Sequence, residues 1–260
     1  MMWRRLTWRP SHGRTPSPIA TTPSPRGSPL ATGVDCTASN KGLFLGVFTL
    51  VAMIISNIIF FVLIDMEQFV DIATLVANGA EGVLYVLTLI AIACAACRIR
   101  NMCFIRKLDK TKKLEQVLLL ISLCGLLLLC VFNIMAGWRR VESQQGILLI
   151  ATNALVMLQS IIQTIFILCC LHRSARTLSH VQKKPGREYI TFLLMCNIAM
   201  WGIYTFETMR MRVYPVAMEI YGYQAWSIVT HVTVPLAIFY RFHSTVCLAA
   251  IWANIYKKSV

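Results

Sequence analysis

The sequence predicts an all-α protein, a polytopic transmembrane helical bundle of six spans. Three observations carry that reading. Apolar residues make up 57% of the 260, charged residues only 14%, and the mean hydropathy is +0.64, whereas a soluble domain is about half apolar and a quarter charged. Six segments are apolar over the roughly 20 residues needed to cross a hydrocarbon core of about 30 Å. Basic residues also concentrate in every second loop, as the positive-inside rule requires of a chain that crosses a membrane repeatedly. These features exclude a soluble enzyme, a secreted disulfide scaffold and a disordered chain.

The spans are expected at 43–64, 72–97, 114–136, 146–171, 189–209 and 226–256. Their apolar runs are long and do not alternate with period two, so they are helices and not barrel strands. The first and fourth carry no charge, the second only Glu81, the third only Glu115 and the fifth only Glu207. The sixth is the longest, about 46 Å at helical rise, and it holds His231, Pro235, Arg241 and His243.

Twenty of the 25 Lys and Arg residues lie in the tail 1–42, the loops 98–113 and 172–188, and the C-terminus 257–260. The loops near 65–71, 137–145 and 210–225 hold four, and Arg241 lies within a span. Both termini are therefore expected in the cytosol, in an integral membrane protein of the plasma membrane. The net charge of +14 follows from topology and implies no nucleic acid. Residues 1–42 read as a disordered, basic, Pro/Ser/Thr-rich tail. The tail has no apolar run fit for a signal peptide, so the first span is expected to open insertion. Its Ser-Pro and Thr-Pro pairs are either phosphorylation sites or parts of a plain flexible segment.

No P-loop, G-x-G-x-x-G, H-E-x-x-H or G-x-S-x-G motif occurs, so no enzyme, cofactor or metal is expected. Most of the ten cysteines fall inside spans, where they act as small polarizable apolar groups. Any chemistry must then lie with polar groups in the membrane, which are costly unless they face protein or water. Counted from the span ends at 1.5 Å per residue, Gln159, Asn197 and Tyr240 sit about 20, 18 and 21 Å below one face. These three neutral side chains can each donate and accept. They form either interhelical glue or a layer that blocks hydrated ions while passing protons. Thr152, Gln159 and Gln163 share one helical side, as do Asn197, Trp201 and Tyr204, and Tyr240, His243, Ser244 and Cys247. Glu81 falls near the bilayer centre and is either a proton relay or a surface carboxylate. Glu207 lies near the outer end of its span. Arg241 and His243 are expected to snorkel toward cytosolic headgroups. His231 is either a pH-sensitive group near the outer face or structural, and Pro235 is expected to kink the last helix.

The stretches KPGREYITFLLMCNIAMWGIYTFE (184–207), YGYQAW (221–226) and PLAIFYRFHSTVCL (235–248) resemble the otopetrin family of proton channels, with a weaker, collinear resemblance through the earlier spans. That resemblance implies twelve spans in two barrel-like halves, dimeric assembly around lipid, and passive conduction of protons. The chain corresponds to the second half, with the tail 1–42 standing where the first six spans would be. The family's Gln–Asn–Tyr constriction falls on Gln159, Asn197 and Tyr240. The resemblance also implies proton-relay or vestibule positions at Glu207, Arg241 and His243, which join Glu81, Gln163 and His231. Expected partners are protons, water and the lipid bilayer, with a homodimer or an assembly with a full-length channel. The alternative is a non-conducting fragment that assembles with such a channel and regulates it.

Overall fold

In the computed structural model, residues 39–64, 66–104, 110–175, 177–208 and 215–257 are described. The tail 1–38 with Cys36, together with Asp65, Arg106, Lys107, Arg176, Arg210, Arg212 and Lys258, lies outside the described residues. Among the described residues, six helices are long and apolar enough to cross a membrane: α1 (Asn40–Ile64), α2 (Val70–Ile99), α3 (Lys110–Arg139), α4 (Gln144–Leu171), α6 (Arg187–Thr208) and α7 (Pro215–Asn254). A single turn of 3-10 helix (Glu67–Phe69) precedes α2, and a short α5 (Leu178–Lys183) precedes α6. Two-residue strands β1 (Cys103–Phe104) and β2 (Arg173–Ser174) pair antiparallel, Cys103 with Ser174.

α1 to α4 and α6 overlap the first five expected spans. α7 overlaps the sixth and extends it toward its N-terminus, running from Pro215 to Asn254. Proline at the first helical position costs no hydrogen bond, and the helix breaks within its second turn at Gly222, where φ is +76°. That φ suits glycine alone among common residues. Tyr221 stacks on Trp226 across the break and donates its hydroxyl to the Phe132 carbonyl of α3, 2.9 Å away. The glycine and flanking polar residues made 210–225 read as a loop, yet side-chain anchoring holds much of it as helix.

The basic end of the bundle is tied by side chains read from sequence only as topogenic charge. Arg173 donates to the Ile99 and Arg100 carbonyls at 3.1 and 2.6 Å, filling acceptors that the end of α2 leaves open. Phe104 stacks on His172, and Ser174 donates to the Lys257 carbonyl. Ser143 caps α4 by accepting from the Gly146 amide, as a helix N-cap should. At the opposite end Arg140 pairs with Glu219, and Gln145 bonds to Asp71.

The core is built chiefly by α3, α4, α6 and α7. α3 packs on both α4 and α7, α6 on α7 and α1, and α2 on α4. α1 contributes little to it: Phe44 is 78% and Phe48 67% exposed. It is held close to α6 through Gly42 and Gly46, where any side chain would collide with the Glu188 carbonyl and with Met195. Small residues four apart allow this kind of approach between membrane helices. Gly125 plays the same part between α3 and α7, against the side chain of Leu236. Gly125→Val should lower the stability of the detergent-solubilised protein by about 1–3 kcal/mol through overpacking. Gly82→Ala, which faces open space inside α2, should not lower the melting temperature, since alanine is the better helix former.

Candidate functional site

Neighbouring residues on α4 present two polar stripes, each repeating at i, i+4 and each aimed at a different partner. Gln159 and Gln163 form the first, Ser160 and Thr164 the second. All four are enclosed by protein. Gln159 Nε2 donates to Gln163 Oε1 at 2.8 Å. Gln163 Nε2 donates to Asn197 Oδ1 of α6 at 2.8 Å, and Asn197 Nδ2 returns a bond to Gln163 Oε1 at 3.1 Å. Asn197 Nδ2 also donates to the Leu193 carbonyl. The two amides therefore clasp α4 to α6 through a reciprocal pair.

The second stripe meets α7. Tyr240 donates its hydroxyl to the Ser160 carbonyl at 2.8 Å and lies 2.9 Å from Thr164 Oγ1. Since the phenol proton is committed to the carbonyl, the Thr164 hydroxyl is the donor of that pair. Gln159, Asn197 and Tyr240 all turn inward, and all are fully buried. They do not form one bonded triangle. Gln163 joins the two amides, while Tyr240 bonds the adjoining stripe.

The neighbour of Tyr240 overturns one expectation. Arg241 does not snorkel: it is fully buried and donates from Nη1 to Gln159 Oε1 at 2.8 Å. Its guanidinium carbon lies 5.5, 5.7 and 5.4 Å from the ring centres of Tyr85, Tyr204 and Tyr240, within cation–π range. Arg241 sits about 20 Å from the end of α7, and adjacent helical residues point about 100° apart. Tyr240 thus faces α4 while Arg241 faces the space between α2, α4 and α6. The polar layer is accordingly not neutral, as had been expected, because it contains a fixed cation.

Tyr85 extends the network to Glu81, donating its hydroxyl to Oε2 at 3.3 Å one turn away on α2. Glu81 is half-buried and borders a small cavity with Ser56, Asn57 and Ala77. Toward the acidic end, Asn133 of α3 donates to Asn153 of α4 at 3.2 Å, both buried.

The remaining candidates scatter. His243 is buried, stacks on Phe239 and lies 2.9 Å from the Glu115 carbonyl through Nε2, so it too is held by protein and not by headgroups. His231 is exposed and bonds only within its own turn, to Ser227. Glu207 belongs to the last turn of α6, and its side chain lies outside the described residues. Trp201 is 39% exposed against Phe242, so the expected inward side of α6 reduces to Asn197 and Tyr204. Sequence reading missed Tyr85, Ser160 and Thr164. The available signal was spacing: Tyr85 follows Glu81 by four, and Ser160 and Thr164 flank Gln159 and Gln163.

The family model described as Otopetrin matches residues 1–242. The chain belongs to the otopetrin family. It is 41% identical to the proton channel OtopLc of Drosophila melanogaster over 99% of its own length but 16% of that protein's. It is 26% identical to the human proton channel OTOP3 over 61% of this chain and 34% of that protein, and 34% identical to the zebrafish (Danio rerio) proton channel OTOP1 over 27% of this chain and 13% of that one. The otopetrin chain thus spans between about an eighth and a third of the curated relatives it matches. Within it, Asn197→Leu should reduce stability by about 0.5–2 kcal/mol, because Gln163 Nε2 loses its acceptor in a buried place. Thr205→Val, which loses only a bond to its own helix, should change the melting temperature little; scanning fluorimetry on both variants checks this.

Proposed function

We propose that this otopetrin chain contributes a proton-selective pathway, conducting H⁺ passively across the membrane through the interior of its six-helix bundle. The observation that supports this best is the run of buried polar contacts from Glu81 through Tyr85, Arg241, Gln159 and Gln163 to Asn197, with Tyr240 and Thr164 beside it. Lipid-embedded helices bury such groups where function demands them. The names of the relatives point the same way.

In this reading Gln159, Asn197 and Tyr240 are the constriction. Bonded to their neighbours they seal the bundle, and conduction requires that water enter between them. Amides hold and orient that water; the hydroxyls of Tyr240 and Thr164 exchange donor and acceptor roles as a proton passes. A hydrated Na⁺ or K⁺ meets, among the described residues, no ring of carbonyls to replace its water. Glu81 supplies negative charge on the α2 side. Gln163 positions Asn197, while His243, Glu207 and His231 lie toward the ends of the route and are secondary. The termini face the cytosol, and the exposed apolar flanks face lipid or a second copy in a plasma-membrane homodimer.

A second reading rests on the chain's share of its relatives, a sixth of OtopLc and a third of human OTOP3. It is then a non-conducting partner that assembles with a full-length channel. Co-expression separates the two, since a regulator alters another channel's current and passes none alone.

Proton currents should appear in cells expressing the chain when external pH is lowered. Tyr240→Phe keeps the ring and removes the hydroxyl, and should cut the current about tenfold, within the range for loss of one proton-transfer group. Asn197→Ala should move the reversal potential away from the proton gradient as other cations leak. Wild-type behaviour in both variants would show that the constriction lies elsewhere.

A further inference from the structure

Among the described residues, four buried polar atoms between the sealed layer and the basic end have no hydrogen-bond partner: Arg241 Nε and Nη2, Ser244 Oγ and Glu115 Oε2. Most buried polar groups are paired, so a concentration of unpaired ones along one path needs a reason. Ser244 follows Tyr240 by one turn and Cys247 follows by two, on the same side of α7, and all three are fully enclosed. Each turn advances about 5–6 Å, a gap that one hydrogen-bonded water bridges. Glu115 lies in the second turn of α3, which packs along α7. The His243 contact to the Glu115 carbonyl pins this turn of α3 against α7. The Glu115 carboxylate is near enough to act electrostatically on the Cys247 thiol.

We propose that Ser244 and Glu115 form the limb by which protons move between Tyr240 and the basic end of the bundle. The inference rests on the conduction reading and names two residues to which that reading gives no part. Ser244 relays through water, giving one proton and taking another. The Glu115 carboxylate takes a proton from hydronium, leaving water and the neutral acid, then returns it to water at the helix ends. The ionisable groups around Glu115 are His243 and Cys247 on α7 and Lys112 and Lys113 on its own helix. His172 of α4 stands 3.4 Å from the adjoining Gln116.

The test measures acidification of liposomes that carry an entrapped pH dye and the purified full chain. Ser244→Ala is the sharper variant. Because Ser244 Oγ has no partner at full hydrogen-bond geometry, a purely structural residue predicts little change in melting and unchanged flux. The relay predicts little change in melting and flux lower by about tenfold or more. Glu115→Gln should slow flux similarly and flatten its dependence on pH at the basic end. Glu115→Asp, one methylene shorter, should recover most of the rate. Wild-type flux in both Ser244→Ala and Glu115→Gln, with a conducting parent, overturns the limb and leaves the constriction standing. Should Glu115→Gln not reconstitute, Ser244→Ala decides alone. A parent chain no faster than empty liposomes overturns the conduction reading, and the limb with it.

Discussion

The bundle is organised around a guanidinium in a place without bulk water. Moving a charge from water into low dielectric costs several kcal/mol even after relaxation, so Arg241 persists in the core only because other helices come to meet it. α4 offers the Gln159 carbonyl, α2 and α6 offer the rings of Tyr85 and Tyr204, and α7 offers Tyr240. Arginine suits such a site better than lysine. Its delocalised, weakly hydrated plane lies against aromatic rings while its edge donates. The requirement that these groups converge sets the positions of four helices that have no hydrophobic force to choose among neighbours within lipid.

The same convergence governs the Gln–Asn clasp. Gln159 Oε1 accepts from Arg241, so its amide must point Nε2 toward Gln163, which then passes its own donor to Asn197. A single buried cation therefore orients three amides in sequence. The arrangement gives direction to a layer that could otherwise flip freely, since each amide donates at one end and accepts at the other. Tyr240 stands outside that chain of amides: it donates to the Ser160 carbonyl and accepts from Thr164.

Long apolar runs made the six spans legible, because crossing hydrocarbon requires length and little else. Depth counting also brought Gln159, Asn197 and Tyr240 to one level, since helical rise converts residue number into depth. It could not supply azimuth. Trp201 shares a nominal side with Asn197 yet leans out against Phe242, because the amide clasp fixes how α6 is turned. The fate of Arg241 was illegible for a related reason. Distance to the helix end permits snorkelling, and only the assembled rings of Tyr85, Tyr204 and Tyr240 make the interior the better choice. The start of α7 was hidden by Gly222, whose positive φ breaks the helix without ending it. Ser244 and Glu115 were visible as a helical side and as the one charge of the third span, but that both hold unpaired buried atoms emerges only from the packing of α3 on α7.

The glycine seam of α1 has a bearing on how the bundle is put together. Most helices here interlock through polar side chains, and losing one such bond leaves the others to hold them. α1 instead lies close against α6 at Gly42, over the Glu188 carbonyl, and at Gly46, over the Met195 side chain, with a broad greasy back. Its attachment depends on fit at short range and fades within an ångström or two of separation. One methyl group added at either glycine would therefore prise this stave from the cask while the polar centre kept its bonds.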